Sequence, residues 1–268
     1  MSARRVLRLV PPAPAPPPLL VVAHGSRDPR HAATVRALTA RVAAARPGLR
    51  VETAFLDFCA PSVPRAVRLL AADAVAEAVV LPLLLTRAFH AKSDIPAVLR
   101  EAAAALPPLG LPVPRLHTAA VLGPSPLLVA ALERRLREAG LTAADRASTG
   151  VVLASAGSTD PEARAVIAGI ARRWRRSGWR AVRPAYASAA LPRTGDVVRR
   201  LRADGVRSVA VAPYVLAPGF LPDRIERGAR EAGADVLAPV LGDAPEVAEL
   251  LLRRYDEARS PVGRLVVA

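Results

Sequence analysis

The chain has 268 residues, 52% hydrophobic and 23% charged, which suits a globular protein with room for one large domain or two ordinary ones. No apolar run reaches the roughly 18 residues that a membrane span needs, and the single cysteine, Cys59, excludes an internal disulfide and any thiolate cluster. A formal net charge of +15 comes from 38 Lys and Arg against 23 Asp and Glu. Such a charge draws anionic partners, but the bases are nearly all Arg, Lys92 is the only lysine, and Ala and Pro abound, a composition that GC-rich coding also yields. The Arg residues are scattered over helical faces with few aromatics between them, so nucleic acid is not an expected partner, nor is a membrane, and the reducing cytoplasm is the expected compartment.

Residues 1–17 are basic and then proline-rich, with no sustained apolar stretch after Arg4 and Arg5 for an export signal, and are expected to form a solvated polyproline tail. Apolar runs then alternate with amphipathic patterns. Strands are predicted at Leu19–Ala23, Val51–Leu56, Ala78–Leu85 and Arg115–Val121. Helices are predicted at Pro29–Ala45, Pro61–Ala72, Ser93–Ala105 and Pro126–Glu138. After a linker at Ala139–Gly150 the pattern restarts. Strands are predicted at Val151–Ala154, Trp179–Tyr186, Ser208–Leu216 and Asp235–Val240, and helices at Pro161–Arg176, Arg193–Ala203, Pro222–Ala232 and Ala244–Ala258. Continuous apolar strands followed by helices predict parallel sheets covered on both faces. The predicted class is α/β, two tandem three-layer αβα halves of flavodoxin-like or Rossmann-like type, at 18–140 and 149–268.

The restart is a repeat. Gly25-Ser26-Arg27-Asp28-Pro29 aligns with Gly157-Ser158-Thr159-Asp160-Pro161, Ala54-Phe55 and Pro61 with Ala185-Tyr186 and Pro192, and Pro82 through Phe89 with Pro213 through Phe220 without a gap. Ligands of open parallel sheets bind beyond the carboxyl ends of the strands. In the first half those positions carry His24, Asp57 and, past the third strand, His90. Two imidazoles and a carboxylate suit a borderline divalent metal and proton removal near neutral pH. The second half is an internal control: opposite His24, Asp57 and His90 stand Ala156, Ser188 and Leu221. A fold that discards these residues does not need them, which points to function at His24 and His90, whereas Asp57 could also be a helix cap.

Asp28 and Asp160 each precede a proline at a helix start and are expected as N-caps. Ser26 and Ser158 are expected to hydrogen-bond within their turns. His31 is expected at the surface and His117 as a satisfied core histidine. Arg87 and Lys92 flank His90 and are candidates to pair with substrate carboxylates, or are solvated loop charges. Cys59 reads as pocket lining or a buried small hydrophobe.

The paired motifs Ala23-His24-Gly25-Ser26-Arg27-Asp28-Pro29 and Pro82-Leu83-Leu84-Leu85-Thr86-Arg87-Ala88-Phe89-His90, followed by Asp94-Ile95-Pro96, resemble those of the sirohydrochlorin chelatases, class II enzymes of the cobalt and iron branches, in their long, internally duplicated form. The resemblance covers the first half closely and the second more loosely. It implies ATP-independent insertion of Co²⁺ or Fe²⁺ into sirohydrochlorin or a related tetrapyrrole, in cobalamin or sirohaem synthesis, on a chelatase fold. The metal is then a substrate and no cofactor is held permanently. Metal binding and proton acceptance fall on His24 and His90. Substrate contact falls on Leu85, Thr86, Arg87, Ala88 and Phe89 and on the region of Asp57 and Cys59, with Lys92 alongside. The family often has Gly where Phe89 stands and Glu where Asp57 stands. Sirohydrochlorin carries eight carboxylates, which a basic protein attracts. The duplicated halves favour a monomer built as an internal pseudo-dimer, or a weak homo-oligomer. A non-catalytic carrier of tetrapyrrole or metal would use the same rim. A phosphate-ester hydrolase is a further reading of His24-Gly25, although histidine phosphatases carry Arg where Ala23 stands.

Overall fold

A computed structural model describes residues 15–86 and 94–260. The candidates Arg87, Ala88, Phe89, His90 and Lys92 lie outside the described residues, as do residues 1–14 of the tail.

The first half runs β1 (Leu19–Ala23), α1 (Pro29–Ala45), β2 (Val51–Phe55), α2 (Val63–Ala72), β3 (Glu77–Pro82), α3 (Ile95–Ala104), β4 (Arg115–Thr118) and α4 (Pro126–Glu138). The second runs β5 (Thr149–Ser155), α5 (Pro161–Arg175), β6 (Ala181–Tyr186), α6 (Thr194–Ala203), β7 (Ser208–Tyr214), α7 (Phe220–Glu231), β8 (Val236–Leu237) and α8 (Pro245–Arg259). Each half builds a four-stranded parallel sheet, in the orders β2-β1-β3-β4 and β6-β5-β7-β8. The α/β class with parallel sheets is therefore observed. Five strands stop short of their predicted ends, β2 by one residue and β7 by two among them. β3 ends at Pro82, β4 at Thr118, and β8 keeps two residues because Pro239 has no N–H to offer a ladder. α7 starts two residues earlier than predicted, since Pro222 falls in its first turn, where the amide has no helical partner anyway. No helix among the described residues is long and apolar enough to cross a membrane.

Strand alternation sorts the core. Leu20 and Val22 face an outer layer made by α2 and α3, and Val152 and Ala154 face the corresponding α6 and α7. Leu19, Val21 and Ala23 face inward and share one continuous core with Val151 and Leu153 of the other sheet. Between the sheets lie α1, α4, α5 and α8, and the last helix of each half is exchanged: α4 packs on β7, and α8 packs on β3 and β4.

Polar contacts fix this exchange. Glu133 of α4 accepts hydrogen bonds from the Trp174 and Trp179 indoles at 2.6 and 2.9 Å and pairs with Arg146 at 2.8 Å. On α8, Arg254 donates to the Val121 and Leu122 carbonyls at 3.0 and 3.2 Å, and the Tyr255 hydroxyl donates to the Pro17 carbonyl at 2.7 Å. Neither half closes its inner sheet face without the other.

Candidate active site

In the order β2-β1-β3-β4 the chain winds to one side of β1 and then returns to its other side, so the crevice beyond the carboxyl ends of β1 and β3 is the topological switch point. β5 and β7 make the same crevice in the second half. The two crevices open into one cleft of about 480 Å³. His24 and Leu83 to Thr86 wall it from the first half. Ser155 to Ser158, Tyr214 to Ala217 and Leu221 wall it from the second. A larger depression of about 690 Å³ lies along the edge strand β6, walled by Arg175, Arg180, Arg183 and Arg200. It holds none of the candidate residues, and Arg183 and Arg200 are already paired with Asp204, so the chemistry belongs to the cleft.

The His24 turn is set by its backbone. Gly25 has φ +94°, and a Cβ there would stand 1.8 Å from the Asp57 carbonyl oxygen. Only glycine tolerates both the left-handed conformation and that approach. The Asp57 amide donates to the His24 carbonyl at 2.9 Å, which fixes the residue carrying the imidazole. The second half repeats this geometry: Gly157 has φ +94°, a Cβ there would stand 2.0 Å from the Ser188 carbonyl oxygen, and the Ser188 amide donates to Ala156 at 2.9 Å. The caps are repeated too. Asp28 and Asp160 accept from the amides of Arg30 and Glu162, both at 2.9 Å, and their own amides donate to the Ser26 and Ser158 hydroxyls, both at 3.1 Å. These four residues hold the turns, as their sequence positions predict.

Of the predicted contacts, the structure brings Leu85 and Thr86 into the cleft wall with His24. The cleft wall does not include Asp57 or Cys59. Asp57 is exposed beyond β2, and the half-buried Cys59 thiol donates to the Ser26 carbonyl at 3.1 Å and packs on the shared core. His117 bonds through Nε2 to Glu77 at 3.2 Å on the edge strand β4, away from the cleft. Among the described residues no group of three or more His, Cys, Asp or Glu side chains is arranged to hold a metal ion.

The expectation for His31 is corrected. It is half-buried and lines the cleft, because the first turn of α1 is roofed by the second half. Burial holds its pKa below the usual histidine value, helped by the neighbouring His24 and opposed by Asp28, so its imidazole is neutral near pH 7. Its counterpart in the repeat is Ala163, the same loss that singles out His24. That was the available signal in the sequence.

Sequence reasoning also missed the contribution of the second half. Tyr186, Tyr214, Ser155 and Arg164 all line the cleft. Burial pushes both tyrosine pKa values up, Tyr186 against the opposing pull of Arg164, so both hydroxyls stay protonated. Among the described residues five buried side-chain polar atoms lack a hydrogen-bond partner. Three of them, His31 Nδ1, Ser155 Oγ and the Tyr214 hydroxyl, belong to cleft residues. Folded chains leave few such atoms, and a concentration of them marks a place where a ligand or solvent completes the bonding.

The CbiX family model matches residues 18–139 and again 150–258. The chain is 27% identical over 247 residues to a sirohydrochlorin cobaltochelatase of Priestia megaterium, covering 89% of this chain and 79% of that one. It is 27% identical over 251 residues to a sirohydrochlorin ferrochelatase of Bacillus subtilis, covering 89% and 90%. The solved structure of SirB from Bacillus subtilis with Fe³⁺ superposes with a TM-score of 0.77 at 26% identity, over 91% of this chain and 96% of that one. A SirB complex with cobalt, from Bacillus subtilis subspecies spizizenii, gives 0.74 at 26% identity, over 92% and 97%.

Proposed function

The chain belongs to the CbiX family, and on that premise we propose that it is a chelatase that inserts Co²⁺ or Fe²⁺ into sirohydrochlorin without ATP, with the metal as a substrate. Relatives along nearly the whole chain carry that activity in their names, for cobalt and for iron. The observation that carries the reading is the placement of His24 at the switch point of the first sheet, on the wall of a cleft about 480 Å³ in volume.

Metallation strips water from the ion, seats it among the pyrrole nitrogens and releases two N–H protons. A neutral imidazole suits both tasks: it ligates a divalent ion weakly enough to give it up, and it accepts a proton near pH 7. A closed set of four strong ligands would retain the metal. His24 is the ligand and proton acceptor on the β1 side. His90 is assigned as its partner because its repeat counterpart, Leu221, lines the cleft. His31 extends the imidazole wall in its uncharged form. The exchange of α4 and α8 supports a monomer as the working unit, since the two facing crevices already lie in one chain.

The test is absorbance-monitored insertion with Co²⁺, Fe²⁺ and Ni²⁺ offered in parallel. The expected result is acceleration over the uncatalysed rate with Co²⁺ or Fe²⁺. Tight binding of sirohydrochlorin with no acceleration by any ion would establish a carrier instead.

A further inference from the structure

The two halves exchange chemistry at equivalent positions of the cleft. Where the first half carries His24 and His31, the second carries Ala156 and Ala163. The reverse substitutions are as regular. Ala23 and Phe55, partners across β1 and β2, correspond to Ser155 and Tyr186, partners across β5 and β6. Leu83 corresponds to Tyr214, and Ala32 to Arg164. The second half has thus lost imidazoles and gained three hydroxyls and a guanidinium, and all four of these residues line the cleft.

Arg164 is the decisive member. It sits in the first turn of α5, half-buried, and makes no ion pair among the described residues. Most arginines near the junction of the halves are engaged: Arg30 with Asp28 and Asp223, Arg41 with Asp243, Arg134 with Glu246, Arg146 with Glu133. A cation with no ion pair among the described residues, in a partly desolvated cleft whose wall also holds Tyr186 and two buried hydroxyls that lack partners among those residues, is a built acceptor for a carboxylate. Ile167, Leu216 and Leu221 on the same wall supply an apolar surface for a macrocycle.

We propose that the half lacking imidazoles is the substrate-holding half, in which Arg164 pairs with a peripheral carboxylate of the tetrapyrrole while its face packs on the neighbouring apolar side chains. This rests on the chelatase reading and adds a division of labour to it: metal and protons are handled from the first half, and the polyanionic macrocycle is oriented from the second. One charge-assisted pair in a half-buried site predicts about a tenfold effect on binding.

The experiment uses the full chain and the substitutions Arg164→Met and Arg164→Lys. Binding of metal-free sirohydrochlorin, and of uroporphyrin as an unreacting octacarboxylate probe, is titrated by fluorescence without metal. Insertion kinetics are measured alongside, and melting temperatures check that each variant is folded. The expected result is a Kd and KM about tenfold higher in Arg164→Met, a kcat within about twofold of the parent, and partial recovery in Arg164→Lys. A folded Arg164→Met with parental Kd and KM overturns the division of labour while leaving the chelatase reading intact. A parent chain that neither binds nor metallates sirohydrochlorin overturns both.

Discussion

Residues 18–139 and 150–258 match the same family model and wind the same sheet in the same order, yet they meet across the cleft with opposite side chains. What they share is backbone: the φ of +94° at Gly25 and Gly157, the aspartate caps, the serine turn bonds, the amide of residue 57 or 188 donated to the residue that follows the first strand. What they do not share is the set of groups able to ligate, accept protons or pair with an anion. Duplication separates the two kinds of constraint. Features that survive in both copies serve the turn, and features that survive in one serve whatever occupies the cleft.

The sharpest way to break this comparison is to interchange the halves at their most telling position. His24→Ala is expected to lower the insertion rate by about 100-fold or more, the range of a lost general base, with an unchanged melting temperature, while Ala156→His leaves the rate within about twofold. Equal losses in the two variants, followed by absorbance, would refute a one-sided metal site. Where the halves agree, damage should be symmetric: Gly25→Ala and Gly157→Ala are each expected to cost about 3 kcal/mol in denaturant unfolding, because each Cβ would collide with a carbonyl oxygen. Glu133→Leu tests whether the halves fold as one. It orphans two indole N–H groups across the junction and is expected to cost about 2–3 kcal/mol in a single transition. Two separate transitions would mean that the exchanged helices do not couple the cores.

The smallest effect concerns His31. Its folded pKa is lowered by burial, so as pH falls the unfolded chain binds that proton first. The stability associated with His31 is therefore complete above about pH 7 and falls as pH drops through the unfolded histidine value near 6.5. His31→Gln should flatten that part of the stability–pH curve, measured by thermal melts between pH 5 and 8, and a curve unaltered by the substitution would place His31 in solvent.

Much of the fold was legible because local and global preferences agree. β1, α1 and α4 run over their predicted residues: α1 and α4 begin at a capped proline and β1 is wholly buried. The helix exchange was not legible. The stripe Leu128, Leu132 and Leu136 on α4 states that this face is buried, and nothing in its spacing states that β7 rather than the first sheet receives it. The errors at the site share that origin. His31 reads as a surface residue when α1 is considered alone, and Arg164 as one more arginine of a basic chain. Each becomes a cleft residue only because the opposite half covers the start of its helix. His24 escaped the difficulty because a residue directly after a central parallel strand is at the switch point whatever packs above it.

If metal handling and macrocycle holding reside in different halves, one paired measurement separates them. Metal-free binding of sirohydrochlorin and the rate of Co²⁺ insertion are determined for His24→Ala and Arg164→Met side by side. His24→Ala is expected to bind the tetrapyrrole with parental affinity and fail to metallate it, whereas Arg164→Met is expected to bind about tenfold more weakly and, once saturated, to metallate at nearly the parental rate. Two variants that lose binding and turnover in the same proportion would contradict that division.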